Sequence, residues 1–128
     1  MSYGRTELHT LLSDSSVTAL LTDGASGIWY DNIIPDETTG PQESTINYYR
    51  IAPADGGLNY MQTTYSVNCR AGTMAAAEAI ARAVYDVVNR HSSGSVYFAS
   101  SILATIPPMD DTDNYNSPVE IVSKSRTI

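Results

Sequence analysis

The sequence predicts an α+β fold: a mainly antiparallel sheet of about four to five strands with two helices packed on one face. Three observations lead there. Apolar residues recur at helical spacing in two stretches, residues 5–22 and 73–91. They alternate with polar residues along residues 60–70. The elements run in the order helix, strand, hairpin, helix, strand pair, which suits helices laid on an antiparallel sheet. The chain has 128 residues, of which 42% are hydrophobic. That length fits a single domain over residues 1–128 and can enclose one core.

Residues 5–22 read as helix with a break. Leu8, Leu11 and Leu12 repeat at i, i+3, i+4, and so do Val17, Leu20 and Leu21. Asp14 is placed to cap the second piece by accepting from the amides of Ser16 or Val17. Asp23-Gly24 supplies a stop, and a short aromatic strand follows at residues 28–33, closed by Pro35. Residues 35–44 form an acidic loop. A second strand spans residues 45–52, a turn signal lies at residues 53–57, and a third strand runs over residues 60–70. In that strand Met61, Tyr65, Val67 and Cys69 share one face, against Gln62, Thr64, Ser66 and Asn68 on the other. One side therefore packs, and the other is wet or docks onto something polar.

The helix over residues 73–91 is the clearest element. Thr73 is its N-cap, and Ala76, Ile80, Ala83, Val84, Val87 and Val88 form the apolar stripe. Glu78–Arg82 and Asp86–Arg90 are spaced as i, i+4 ion pairs with the acid first. A fourth strand is expected over residues 95–106, with Val96, Phe98, Ile102, Ala104 and Ile106 on one face. A second acidic loop then spans residues 107–118, and a last strand residues 119–127.

Composition excludes several functions. Only 16% of residues are charged, and 7 Lys and Arg stand against 14 Asp and Glu, a net −7. Lys124 is the only lysine and the Arg residues are scattered, which argues against a nucleic-acid reader. The single cysteine, Cys69, excludes an intrachain disulfide. No apolar run approaches the roughly 20 residues that cross a bilayer. The N-terminal residues lack the apolar core of a secretion signal, so a cytoplasmic origin is expected.

No constellation of residues names a reaction. Gly24-Ala25-Ser26-Gly27-Ile28 approaches a nucleophile elbow, but Ile28 stands where the second Gly is required. His91 reads as a helix C-terminal residue and His9 as a helix-surface residue. Cys69 reads as a buried structural thiol. The run from Asp110 to Asn116 fails the calcium-loop pattern, because Tyr115 and Asn116 occupy its fifth and sixth positions. No zinc spacing and no phosphate loop occur, so no metal or cofactor is expected. The tyrosines remain. Tyr48 and Tyr49 point to opposite faces of one strand, so at most one is core. Tyr48, Tyr49, Gln62 and Thr64 are the candidate interface residues of a sheet whose second face meets another subunit.

Taken in order, the stretches "LHTLLSDSSVTALLTDGASGIWYDNIIP", "YSVNCRAGTMAAAEAIARAVYDVVNRH" and "DDTDNYNSPVEIVSKSR" resemble the tail-completion, or tail-terminator, proteins of long-tailed bacteriophages. The strand, Gly-Thr turn and alanine-rich helix around residues 68–89 carry most of that resemblance. It implies a structural virion protein without catalytic residues. Such a protein forms a homo-oligomeric ring, a hexamer, at the head-proximal end of the tail tube. The ring stops tube polymerisation and meets the tail tube protein on one side and the head-completion or connector protein on the other. It also implies a location in the neck of the virion, assembly in the host cytoplasm, and DNA that passes through without specific binding. The acidic loops, with Asp36, Glu37 and Glu43 in one and Asp110, Asp111 and Asp113 in the other, are then candidates to line the lumen or the ring interfaces, where carboxylates repel phosphate. Two other readings remain: a connector or tube protein of the same virion, and a small cytoplasmic enzyme or ligand-binding domain.

Overall fold

The computed structural model describes residues 4–30, 44–51, 55–56, 60–93, 96–107 and 114–126. The first helical stretch breaks where Asp14 stands. Helix α1 (Arg5–Leu12) buries Leu8 and Leu12, and a single turn, α2 (Ser15–Thr18), buries Val17. The Asp14 carboxylate accepts from the Ser16 N–H at 2.9 Å and the Ser16 hydroxyl at 2.8 Å, the expected cap. Those two bonds favour the charged form and hold its pKa below the ordinary value. A 3₁₀ turn (Gly24–Gly27) follows the Asp23-Gly24 stop and leads into strand β1 (Ile28–Tyr30).

The remaining elements are β2 (Thr45–Arg50), β3 (Asp55–Gly56), β4 (Tyr60–Ala71), α3 (Met74–Val88), β5 (Ser92–Ser93), β6 (Val96–Ile102) and β7 (Tyr115–Arg126). They form one sheet in the order β1-β2-β4-β7-β6-β5, with β3 also on β4. Every pairing is antiparallel except that of β1 with β2, which is parallel. The α+β class therefore holds. The helices pack on one face and enclose Leu8, Leu12, Ile46, Tyr48, Tyr65, Val67, Ile80, Val84, Phe98, Val119 and Ile121. Burying each large apolar side chain is worth about 1.5–3 kcal/mol, so this layer is the main source of stability.

Helix α3 starts as expected: the Thr73 hydroxyl accepts from the Ala76 N–H at 3.1 Å. Its buried stripe is Ala77, Ile80, Ala81, Val84 and Val88, with Ala76, Ala83 and Val87 at its margins. The small residues let the helix lie close to β4 and β7. Its ion pairing differs from expectation. Arg82 pairs with Asp86 at 3.2 Å. Glu78 accepts instead from the Thr105 hydroxyl at 2.8 Å. Arg90 lies beyond the helix at φ 61, out of helical register with Asp86. The helix ends at Val88, so His91 belongs to the connection to β5, where its carbonyl accepts from the Phe98 N–H at 2.9 Å.

The largest departure lies at the end of β6. Strand β7 begins at Tyr115, four residues earlier than the pattern implies, and Pro118 sits inside it. The Pro118 carbonyl accepts from the Leu103 N–H at 2.9 Å. Proline has no N–H to return to Leu103, so the ladder cannot continue there in step. Ile102 lies opposite Val119, yet Ile106 lies opposite Asn116, bonded both ways at 2.7 and 3.0 Å. Four steps along one chain thus match three along the other, a bulge of one residue. The bulge reverses the alternation. Ile106 moves to the face opposite Ile102, and Ala104 is exposed, so neither extends the inward row that the sequence suggests.

Candidate functional site

The helices leave the second face of the sheet to other uses. Alternation along each strand assigns its side chains: Tyr49 on β2; Gln62, Thr64, Ser66, Asn68 and Arg70 on β4; Asn116, Glu120, Val122 and Lys124 on β7; Tyr97, Ala99 and Ser101 on β6. This is the polar-faced side of β4 that the sequence indicates. Cross-strand register brings three of the four candidate interface residues onto it. Tyr49 lies opposite Ser66, Thr64 opposite Val122, and Gln62 opposite Lys124. All three are half-buried.

The fourth, Tyr48, belongs to the other face. It is 1% exposed, and its ring meets Tyr30 edge-on at 5.1 Å and His9 at 5.6 Å. Its hydroxyl shares a hydrogen bond of 2.6 Å with His9 Nδ1. His9 is therefore a packed partner that pins α1 to β2, where the sequence suggested a plain surface residue. Arg5 lies 4.3 Å over the Tyr30 ring and completes this cluster. Burial pushes the Tyr48 and Tyr65 hydroxyls up to about 12. Phenols so held stay protonated and serve as packing and hydrogen-bonding groups. Cys69 is fully buried on the helix side, and burial pushes its thiol up as well, which makes it a poor nucleophile. Among the described residues, no three His, Cys, Asp or Glu side chains converge as a metal site would require.

The second face is uneven. Toward β1 it is closed: Thr45, Asn47 and Asn68 are buried, and Asn116 donates from its amide nitrogen to Asn68 Oδ1 at 3.2 Å. Toward β6 it is open. Tyr97 is 41% exposed, Leu103 44% and Ile106 41%. Register puts Leu103 opposite Pro118, on the face of Tyr97 by plain alternation, and Ile106 opposite Asn116, so the Pro118 bulge brings Ile106 onto that same face. The result is an apolar rim, with Tyr97 at one end of β6 and Leu103 and Ile106 beyond the other, beside a polar centre that carries Glu120 and Lys124. Sequence reasoning missed this rim because strict alternation assigned Ile106 inward. Pro118 was the available signal.

The outer edge of β6 is protected from further strand pairing. The Phe98 N–H is held by the His91 carbonyl, and the Ser100 N–H by Asn89 Oδ1 at 2.9 Å. With these two outward donors already taken, this stretch of the edge is a poorer template for a further strand. The acidic candidates Asp36, Glu37, Glu43, Asp110, Asp111 and Asp113 lie outside the described residues.

No family model matches this chain, and no curated protein matches it. Among solved structures, its fold is similar to that of a chain from the virion of a native gene transfer agent particle. The two are 15% identical, with a TM-score of 0.62 over 93% of this chain and 91% of that chain.

Proposed function

We propose that this chain is a structural protein of a phage-like virion, a ring-former at the head-proximal end of the tail tube that ends tube polymerisation and joins the tail to the head connector. The observation that carries this reading is the likeness to a virion-particle chain, which extends over nearly the full length of both. The terminator role rests further on the resemblance of residues 7–126 to tail-terminator proteins. The surface supports an assembling protein: one sheet face is polar with few charges at its centre and apolar at its rim, a composition that suits a contact surface. Its buried thiol and phenols are placed for packing, which favours a non-enzymatic role.

The partners in this reading are further copies of the chain, six to a ring, the tube protein below and the connector above. DNA passes through the ring without specific binding, because a chain of net −7 repels phosphate. Charge reversal at Asp36, Glu37 and Glu43, or at Asp110, Asp111 and Asp113, slows DNA ejection if those loops line the lumen. Negative-stain imaging and native mass measurement of the purified protein test the central claim. Closed six-membered rings are expected. Long tubes would make it a tube protein, and a monomer at every concentration would refute ring formation.

A further inference from the structure

The open part of the second sheet face points to one occupant, and we propose that it is the helical layer of the next copy, so that successive copies stack head to tail, sheet on helices. This rests on the ring reading above and names the surfaces that would make the ring. A heterologous contact needs two different patches on each copy, and closes into a ring when its rotation divides a full turn.

Charge decides between the possible self-contacts. Among the side chains described on the second face, Arg70 and Lys124 stand against Glu120, a net +1. In the helical segments, residues 5–24 and 73–90, Arg5, Arg82 and Arg90 stand against Glu7, Asp14, Asp23, Glu78 and Asp86, a net −2. Sheet face against sheet face sets like signs together; sheet face against helical layer sets opposite signs together. The shapes also agree. The outer surface of α3 carries exposed Ala75 and Ala79 between its charged residues, so a neighbouring sheet can approach closely. A sheet with one uncovered face is satisfied by a helical layer, the same pairing that builds the inside of this fold. The apolar rim of Tyr97, Leu103 and Ile106 supplies the dehydrated part of the contact. Over the open part, the strands β4, β7 and β6, strand spacing and rise give roughly 330 Å² of planar surface, below the roughly 500 Å² per partner of a specific pair. A single contact is therefore weak, and closure, which gives every copy two contacts, favours the ring over the open chain.

The test uses two double variants at exposed positions of the full chain: L103E/I106E on the sheet face and A75R/A79R on α3. Circular dichroism confirms that each is folded, and native mass spectrometry reads assembly. Each variant alone is expected to dissociate, its half-assembly concentration raised about 100-fold or more. Mixing the two, at concentrations well above the wild-type half-assembly point because one contact alone is weak, leaves one intact contact per pair and is expected to give heterodimers that go no further. If the wild type forms rings and either variant forms them equally well, this assignment is overturned and the ring reading stands. If neither variant assembles and their mixture gives no heterodimer, the head-to-tail arrangement is overturned. A wild type that stays monomeric overturns the ring reading and this assignment with it.

Discussion

Raising the pH above 9 removes stability from this fold in two steps, because three buried acids keep their protons in the folded chain and lose them in the unfolded one. Cys69 has an ordinary value of 9.0 and is pushed well above it. Tyr48 and Tyr65 have ordinary values of 10.0 and are pushed up to about 12. Burial is the leading cause for all three. The folded state therefore binds more protons than the unfolded state at alkaline pH, and stability must fall as pH rises. Each proton of difference is worth about 1.4 kcal/mol per pH unit. Between pH 9 and 10 only Cys69 contributes, so the slope is about 1.4 kcal/mol per unit. Above pH 10 all three contribute, and the slope steepens to about 4 kcal/mol per unit. The loss reaches about 5 kcal/mol by pH 11, against a total of roughly 6–19 kcal/mol for a chain of this length. Urea unfolding followed by circular dichroism from pH 8 to 11, at protein concentrations low enough to avoid assembly, measures both slopes. The Cys69→Ala variant removes the first slope, and Tyr48→Phe with Tyr65→Phe removes most of the added second one. Tyr48→Phe also costs about 1–2 kcal/mol at neutral pH, because it leaves His9 Nδ1 without this hydrogen-bond partner. If Cys69→Ala keeps the wild-type slope between pH 9 and 10, or the paired Tyr variants keep the steep region, the linkage argument is refuted.

Two further predictions follow from backbone geometry and edge protection. Gly4 has φ 85, and a Cβ there would lie 2.5 Å from Ser123 Oγ and 3.1 Å from Val96 Cγ1, so Gly4→Ala is expected to cost about 2–4 kcal/mol in urea unfolding. Gly24→Ala shares the positive φ but meets nothing within 4 Å, so it loses only about 1 kcal/mol; equal losses at both sites would contradict the crowding at Gly4. Asn89→Ala frees the Ser100 N–H on the edge of β6 and is expected to cost about 1 kcal/mol and speed hydrogen exchange at that amide. Unchanged protection of the Ser100 amide would show that the side-chain cap is not what guards this edge.

Local chemistry was readable from the sequence wherever a single residue decides the outcome. Asp14 and Thr73 cap the helices they were expected to cap, and the alternation along β4 separates the packed face from the polar one. The α+β class follows from those periods, because amphipathic elements have few ways to bury their apolar sides. Tertiary structure decided what depends on a partner distant in the chain. His9 looked solvated until β2 brought Tyr48 to it, and Glu78 looked paired with Arg82 until Thr105 arrived from beyond β6. The surface proposed for assembly was hidden for the same reason. A missing N–H at Pro118 on β7 shifts the register of the chain after β6, and so turns Ile106 onto the face that already carries Leu103 and Tyr97. Period-2 patterning describes one strand at a time, whereas a bulge is a property of two strands together, set by which backbone donors the neighbour can supply.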